Sequence, residues 1–145
     1  MKRVFADSFY WTALANPRDD FHEEAQSLSK ALGPVRIYTT DEVLTEFLTY
    51  FSRKGPHFRT KAAELVEAVL SDPNIHVIPQ TRDSFLAGLK RYRERPDKQY
   101  SLVDCVAMNA MDDEQLEEVL THDKHFAQEG FVALFQAAVE PSKGN

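Results

Sequence analysis

Four acidic residues are the ones whose type and setting suit chemistry: Asp7 in "VFADSF", Glu46 in "VLTEFL", Asp104 in "LVDCVAM" and Asp123 in "LTHDKHF". Each is a single acid in a largely apolar frame. Asp7 and Asp123 follow short apolar runs that read as buried strands, whereas Glu46 and Asp104 fall in helix-forming stretches. In an open parallel sheet, function gathers in the crevice outside the carboxyl ends of the strands. Asp7 and Asp123 share that crevice if their strands are neighbours. Carboxylates brought close together resist ionising at the same time. A hard divalent cation offsets the repulsion. Mg²⁺ or Mn²⁺ takes oxygen ligands and keeps several waters, which suits such a cluster and suits phosphate chemistry.

Each acid also has a structural use. Asp is a preferred N-cap, so Asp7 can cap a helix beginning near Ser8, and Asp123 a turn over "KHF". Ser101-x-x-Asp104 has the form of a capping box, a role compatible with ligation. Thr39-x-x-Glu42 is a closer match to the box and assigns Glu42 to it. Glu46 lies one helical turn further on the same face, and these residues alone do not carry it to a metal. His122 and His125, three apart in "HDKH", suggest zinc, but two further nearby ligands are missing and the acids favour a harder ion. A phosphoaspartate enzyme wants an acid two residues after the strand-one Asp, where Phe9 stands. A receiver-like domain wants one at the end of the central strand, and "IHVIPQ" has none.

The elements that must position these acids alternate in type. Strands are expected at "RVFAD", "RIYTT", "IHVIP", "EEVLTHD" and "FVALF". Helices are expected at "DDFHEEAQSLSKALGP", "DEVLTEFLTYFSRKG", "FRTKAAELVEAVLSDP", "TRDSFLAGLKRYRER" and "SLVDCVAMNAMDD". In the first helix Phe21, Ala25, Leu28 and Leu32 share a face, and Gly33-Pro34 ends it. Strands alternating with helices imply right-handed crossovers, a mostly parallel central sheet and helices on both of its faces. The fold class is therefore α/β.

With 145 residues, 43% hydrophobic and 28% charged, the chain fits one domain with a real core. That domain is expected over residues 1–139, with a frayed tail at 140–145. The longest apolar run, "FVALF", is far short of the roughly 20 residues that span a bilayer. The start, "MKRVFADSFYWTALANP", loosely imitates a secretory signal, but Asp7 interrupts the apolar region. The lone Cys105, among apolar neighbours, reads as a buried inert thiol in a reducing cytoplasm. A net charge of −6 argues against a generally basic nucleic-acid-binding surface. Two local segments are basic nonetheless, "RKGPHFRTK" and "LKRYRERPDKQY", and they read either as solvated helix ends or as grips on a phosphate backbone.

The ordered set of Asp7, Glu46, Asp104 and Asp123, closed by "T-x-D-x-x-F" at Thr121 to Phe126, resembles the PIN-domain ribonuclease family. It is most similar to the stand-alone toxins of VapBC-type toxin–antitoxin pairs, and the likeness runs from Val4 to about Phe135. The resemblance implies a three-layer α/β/α sandwich and an acidic Mg²⁺ or Mn²⁺ site in which Asp7, Asp104 and Asp123 bind metal, with Glu46 binding directly or through water. Ser8 and Thr121 match the small hydroxyl residues beside that site. The implied activity is hydrolysis of RNA, leaving a 5′-phosphate and a 3′-hydroxyl. Arg53, Lys54, Arg91, Arg93, Arg95 and Lys98 then become candidates for holding RNA, and Tyr92 or Tyr100 for stacking on a base. A small antitoxin and a second copy of the chain, paired through helices, are the implied partners. The rival reading is a non-catalytic PIN-fold module that binds RNA or protein and keeps the acids as caps.

Overall fold

The computed structural model describes residues 1–135, so the expected tail and the domain boundary at 139 lie outside the described residues. Five strands form one all-parallel sheet: β1 (Lys2–Ala6), β2 (Val35–Thr40), β3 (Ile75–Ile78), β4 (Glu118–Leu120) and β5 (Val132–Ala133), in the order β3-β2-β1-β4-β5. The chain builds outward from β1 to β2 and β3, then returns to the other side of β1 for β4 and β5. Right-handed crossovers put the helices of the two halves on opposite faces of the sheet, which gives an α/β sandwich. The reversal falls between β1 and β4, where open parallel sheets place their ligands. Phe5 pairs with Val119 and Ala6 with Leu120, so the two strands whose ends carry Asp7 and Asp123 are neighbours. Val4, Phe5 and Ala6 are fully buried, as a central strand covered on both faces requires.

Among the described residues, seven helices connect the strands: α1 (Ser8–Ala15), α2 (His22–Leu32), α3 (Asp41–Phe51), α4 (Pro56–Ser71), α5 (Arg82–Glu94), α6 (Leu102–Asp113) and α7 (Lys124–Gln128). In the sequence α1 is marked only by Asp7 as a candidate cap, because "SFYWTALA" has no polar face to mark a helical period. The structure buries Tyr10, Trp11 and Ala13 of this short helix. The cap of α3 is shifted by one residue from the expected position. Thr40 accepts the Val43 amide at 3.1 Å, so Thr39 and Glu42 do not form the box. Thr39 is instead buried and donates to the Ala6 carbonyl at 2.9 Å, tying β2 to the end of β1 just before Asp7.

Gly88 allows α5 and α6 to pack closely, since a Cβ there would sit 2.5 Å from Val106 Cγ2. Cys105 is buried and unpaired, as expected. Among the described residues, no helix is long and apolar enough to cross a membrane.

Candidate active site

The four acids reach one crevice of about 600 Å³ from four different elements. Asp7 stands between β1 and α1, Glu46 one turn into α3, Asp104 in the first turn of α6, and Asp123 between β4 and α7. Asp19 also borders the crevice, and among the described residues that line it there is no Lys or Arg.

Local hydrogen bonds fix each acid. Asp7 precedes α1 without a side-chain cap bond, so its carboxylate is not spent on the helix. Its Oδ2 accepts the Thr121 hydroxyl at 2.9 Å, and the same Thr121 oxygen accepts the Asp123 amide at 3.0 Å. One buried threonine thus holds two of the acids. Ser8 donates to Glu46 Oε1 at 2.6 Å. Ser101 and Asp104 do form the reciprocal capping box, with Asp104 Oδ2 accepting the Ser101 amide at 3.0 Å. Asp123 Oδ1 accepts the His125 amide at 2.9 Å and caps α7. The second carboxylate oxygens of Glu46, Asp104 and Asp123 accept no hydrogen bond from the described residues.

Burial is costly for these charges. It lifts the Asp7 carboxyl to about 7, with the nearby Asp104 and Glu46 charges adding to the rise and the Thr121 hydroxyl opposing it. Burial also raises Asp104, helped by the Asp123 charge and resisted by the Ser101 amide and His125. Glu46 is raised by burial and by Asp104 and Asp123, against the pull of Ser8.

One further residue joins the cluster. His125 Nδ1 lies 3.1 Å from Asp123 Oδ1 and 3.3 Å from Asp104 Oδ2, and potential ligand atoms of these three residues lie within 4.8 Å of one another. The sequence offered His125 only as half of a zinc pair with His122. The structure separates the two roles: the His122 ring lies against Phe9 and Phe21 instead. Phe126, the aromatic end of the motif, is fully buried and anchors α7 in the core.

The basic candidates divide. Arg53, Lys54, Arg93 and Lys98 are exposed, the last 3.8 Å from Asp97. Arg91 and Arg95 are held in ion pairs within the fold. Arg91 donates to Glu129 at 2.9 Å, Asp112 at 2.6 Å and Asn109 at 2.9 Å, and Arg95 donates to Glu129 at 3.1 Å. Tyr100 is buried and donates to the same Glu129 at 2.8 Å, whereas Tyr92 is exposed.

The fold thus places a buried acidic crevice at the switch point of an all-parallel α/β sandwich. Residues 4–131 match the sequence profile of the PIN domain, and the chain belongs to that family. A curated relative is the 23S rRNA-specific endonuclease VapC20 of Mycobacterium tuberculosis, 29% identical over 129 residues that span 89% of this chain and 95% of that protein. This kinship supports a nuclease. The crystal structure of VapC20, described as a sarcin-ricin loop cleaving toxin, aligns at a TM-score of 0.79 and 25% identity, covering 89% of this chain and 96% of that one. FitAcB from Neisseria gonorrhoeae shares the fold at a TM-score of 0.62 and 15% identity, over 90% of this chain and 94% of that one. VapBC2 from Rickettsia felis, bound to a DNA fragment from its promoter, does so at 0.61 and 14%, over 90% and 96%.

Proposed function

We propose that this chain is an endoribonuclease that hydrolyses RNA phosphodiester bonds with the help of Mg²⁺ or Mn²⁺, and that it is the toxin of a toxin–antitoxin pair. The observation that carries the reading is the convergence of Asp7, Glu46, Asp104 and Asp123 on one crevice with no lysine or arginine among its described lining residues. The kinship with an endonuclease specific for 23S rRNA supports RNA as the substrate. A small antitoxin, encoded alongside, and pairing of two copies through helices belong to the same reading.

The donor set fits a hard cation, because it is dominated by carboxylate oxygens, three of which point to no partner among the described residues. Asp7, Asp104 and Asp123 would hold the ion, with Glu46 binding directly or through water. When bound, it lowers the pKa of a coordinated water and offsets charge on the phosphate oxygens. The chain itself supplies position. Thr121 sets Asp7 against Asp123, Ser8 orients Glu46, and the Ser101 box fixes Asp104 at the start of α6. Cys105 is fully buried, so its thiol is not offered to a substrate in the crevice.

The purified protein should therefore cleave RNA carrying a 23S rRNA segment in Mg²⁺ or Mn²⁺. EDTA, Asp7→Asn and Asp104→Asn should each abolish cleavage. Undiminished cutting by both variants in Mg²⁺ would sink the assignment, and a protein that neither cuts RNA nor binds Mg²⁺ by calorimetry would be the non-catalytic module.

A further inference from the structure

The crevice also has aromatic borders, which phosphate hydrolysis alone does not require. Tyr50 follows Glu46 by four residues on α3, so it sits on the same helical face about one turn away. It lines the same crevice and is 48% exposed, so part of its ring is bare beside the acids. The Lys54 ammonium lies 4.6 Å from the Tyr50 ring centroid. Both Arg53 and Lys54 are exposed, and neither forms an ion pair among the described residues. The sequence acid, aromatic, cation thus runs outward along one ridge, from Glu46 through Tyr50 to Lys54. Phe9 and His122 also line the crevice, their rings stacked with centroids 5.9 Å apart and planes at 29°.

We propose that Tyr50 and Lys54 form a nucleotide subsite next to the acids. The Tyr50 ring stacks on an unpaired base flanking the scissile phosphate, and the Lys54 ammonium meets the neighbouring backbone phosphate. Phe9 and His122 give the crevice a second aromatic border for the same strand. This inference rests on the ribonuclease reading and adds to it the form of substrate the site accepts. An aromatic ring takes any base, because every base has a π-face, and the cation beside it contributes both charge and a cation–π contact. In a duplex the bases are already stacked on one another, so the subsite selects loops, bulges and single strands. Charge supports RNA as the occupant: on a chain of net charge −6, the ridge offers two unpaired cations next to an aromatic face.

The test uses a short single-stranded RNA containing 2-aminopurine, whose emission falls when the base stacks. In the cleavage-deficient Asp7→Asn protein, binding should quench the emission, and Asp7→Asn/Tyr50→Phe should quench it equally. Asp7→Asn/Tyr50→Ala should lose the quenching and bind roughly 5- to 150-fold more weakly, the effect of one lost base stack. Lys54→Gln should flatten the salt dependence of binding by about 0.7 in slope. In the cleaving protein, Tyr50→Ala should raise KM more than it lowers kcat, with Tyr50→Phe restoring KM. The half-exposed position lets these variants fold, which the melting midpoint checks. Equal quenching and equal affinity for Tyr50→Ala and its parent would overturn the subsite, whatever the cleavage assay shows. A wild-type protein that stacks the probe but never cuts RNA in Mg²⁺ would overturn the hydrolytic reading and leave the subsite standing.

Discussion

Asp7 concentrates the tension of the crevice in one carboxyl. It is buried beside Asp104 and Glu46, and it holds its proton up to about pH 7. In the unfolded chain the same group ionises near its ordinary value of 3.8. The folded state therefore gains stability from Asp7 at low pH, and that gain is lost as pH rises from about 4 to about 7. Asp7→Asn cannot ionise and nearly preserves shape. In EDTA the variant should match the wild type at pH 4 and surpass it at pH 8 by on the order of a few kcal/mol. Glu46 and Asp104 are raised in the same direction, so the variant keeps a smaller slope of its own. Urea midpoints measured in EDTA across that range decide the matter: a difference that does not change with pH would mean that Asp7 shares no acidic crevice. The acids were legible as an ordered set through their resemblance to the PIN-domain pattern, since the residues alone did not carry Glu46 to a metal. Their dual use was legible only in part. The capping reading holds for Asp104 and Asp123 and fails for Asp7, whose carboxylate takes the Thr121 hydroxyl, a partner 114 residues away, instead. The closeness of His125 to Asp104 was hidden, since it depends on the first turn of α7 folding back toward a residue 21 positions earlier.

At the scale of elements, the α5–α6 seam is where local reading failed most. The run from Lys90 to Lys98 reads as one basic surface, yet the partners that claim Arg91 stand 18 and 38 residues away, at Asn109 and Glu129. No window of sequence contains both sides of such a contact. Arg91→Gln should therefore destabilise the fold by about 1.5–3 kcal/mol through lost charged hydrogen bonds, and a lowered urea midpoint is the readout. An unchanged midpoint would return Arg91 to the list of solvated charges. Gly88 gives a second test of the same seam. Alanine there gains about 1 kcal/mol of helix propensity but forces a methyl group to 2.5 Å from the short, branched Val106 side chain. Overpacking costs about 1–3 kcal/mol, so Gly88→Ala should come out neutral to about 2 kcal/mol less stable and Gly88→Val clearly worse. A more stable Gly88→Ala would show that α5 and α6 have room to part.

For the molecule as a whole, alternating strands and helices were enough to read a parallel α/β sandwich, because each apolar run had the length and flanking turns of a buried strand. Strand order was not legible: the order β3-β2-β1-β4-β5 results from where the chain reverses, and no local pattern records that choice. The reversal at β1 and β4 also sets the electrostatic problem that the proposed binding of RNA must overcome. A chain of net charge −6 with an acidic crevice repels a polyanion, so attraction must come from a few exposed cations near the crevice rather than from the mean surface. Arg91 and Arg95 are ion-paired, and Arg53, Lys54 and Arg93 are the exposed cations without an ion pair among the described candidates, Lys54 lying against the crevice residue Tyr50. Each phosphate contact on a single strand contributes about 0.7 to the slope of log affinity against log salt. Replacing Arg53, Lys54 and Arg93 together with Gln should lower that slope by up to about 2 and leave the melting midpoint unchanged. Replacing Arg91 and Arg95 should do the reverse, lowering the midpoint while changing the slope little in whatever fraction remains folded. Fluorescence anisotropy titrations of a single-stranded RNA at several salt concentrations, with a melt of each variant, separate the two sets. If the slope falls with Arg91 and Arg95 and holds with the exposed three, the RNA is held at the α5–α6 seam, and neither the exposed face of α5 nor the ridge from Glu46 to Lys54 is its path.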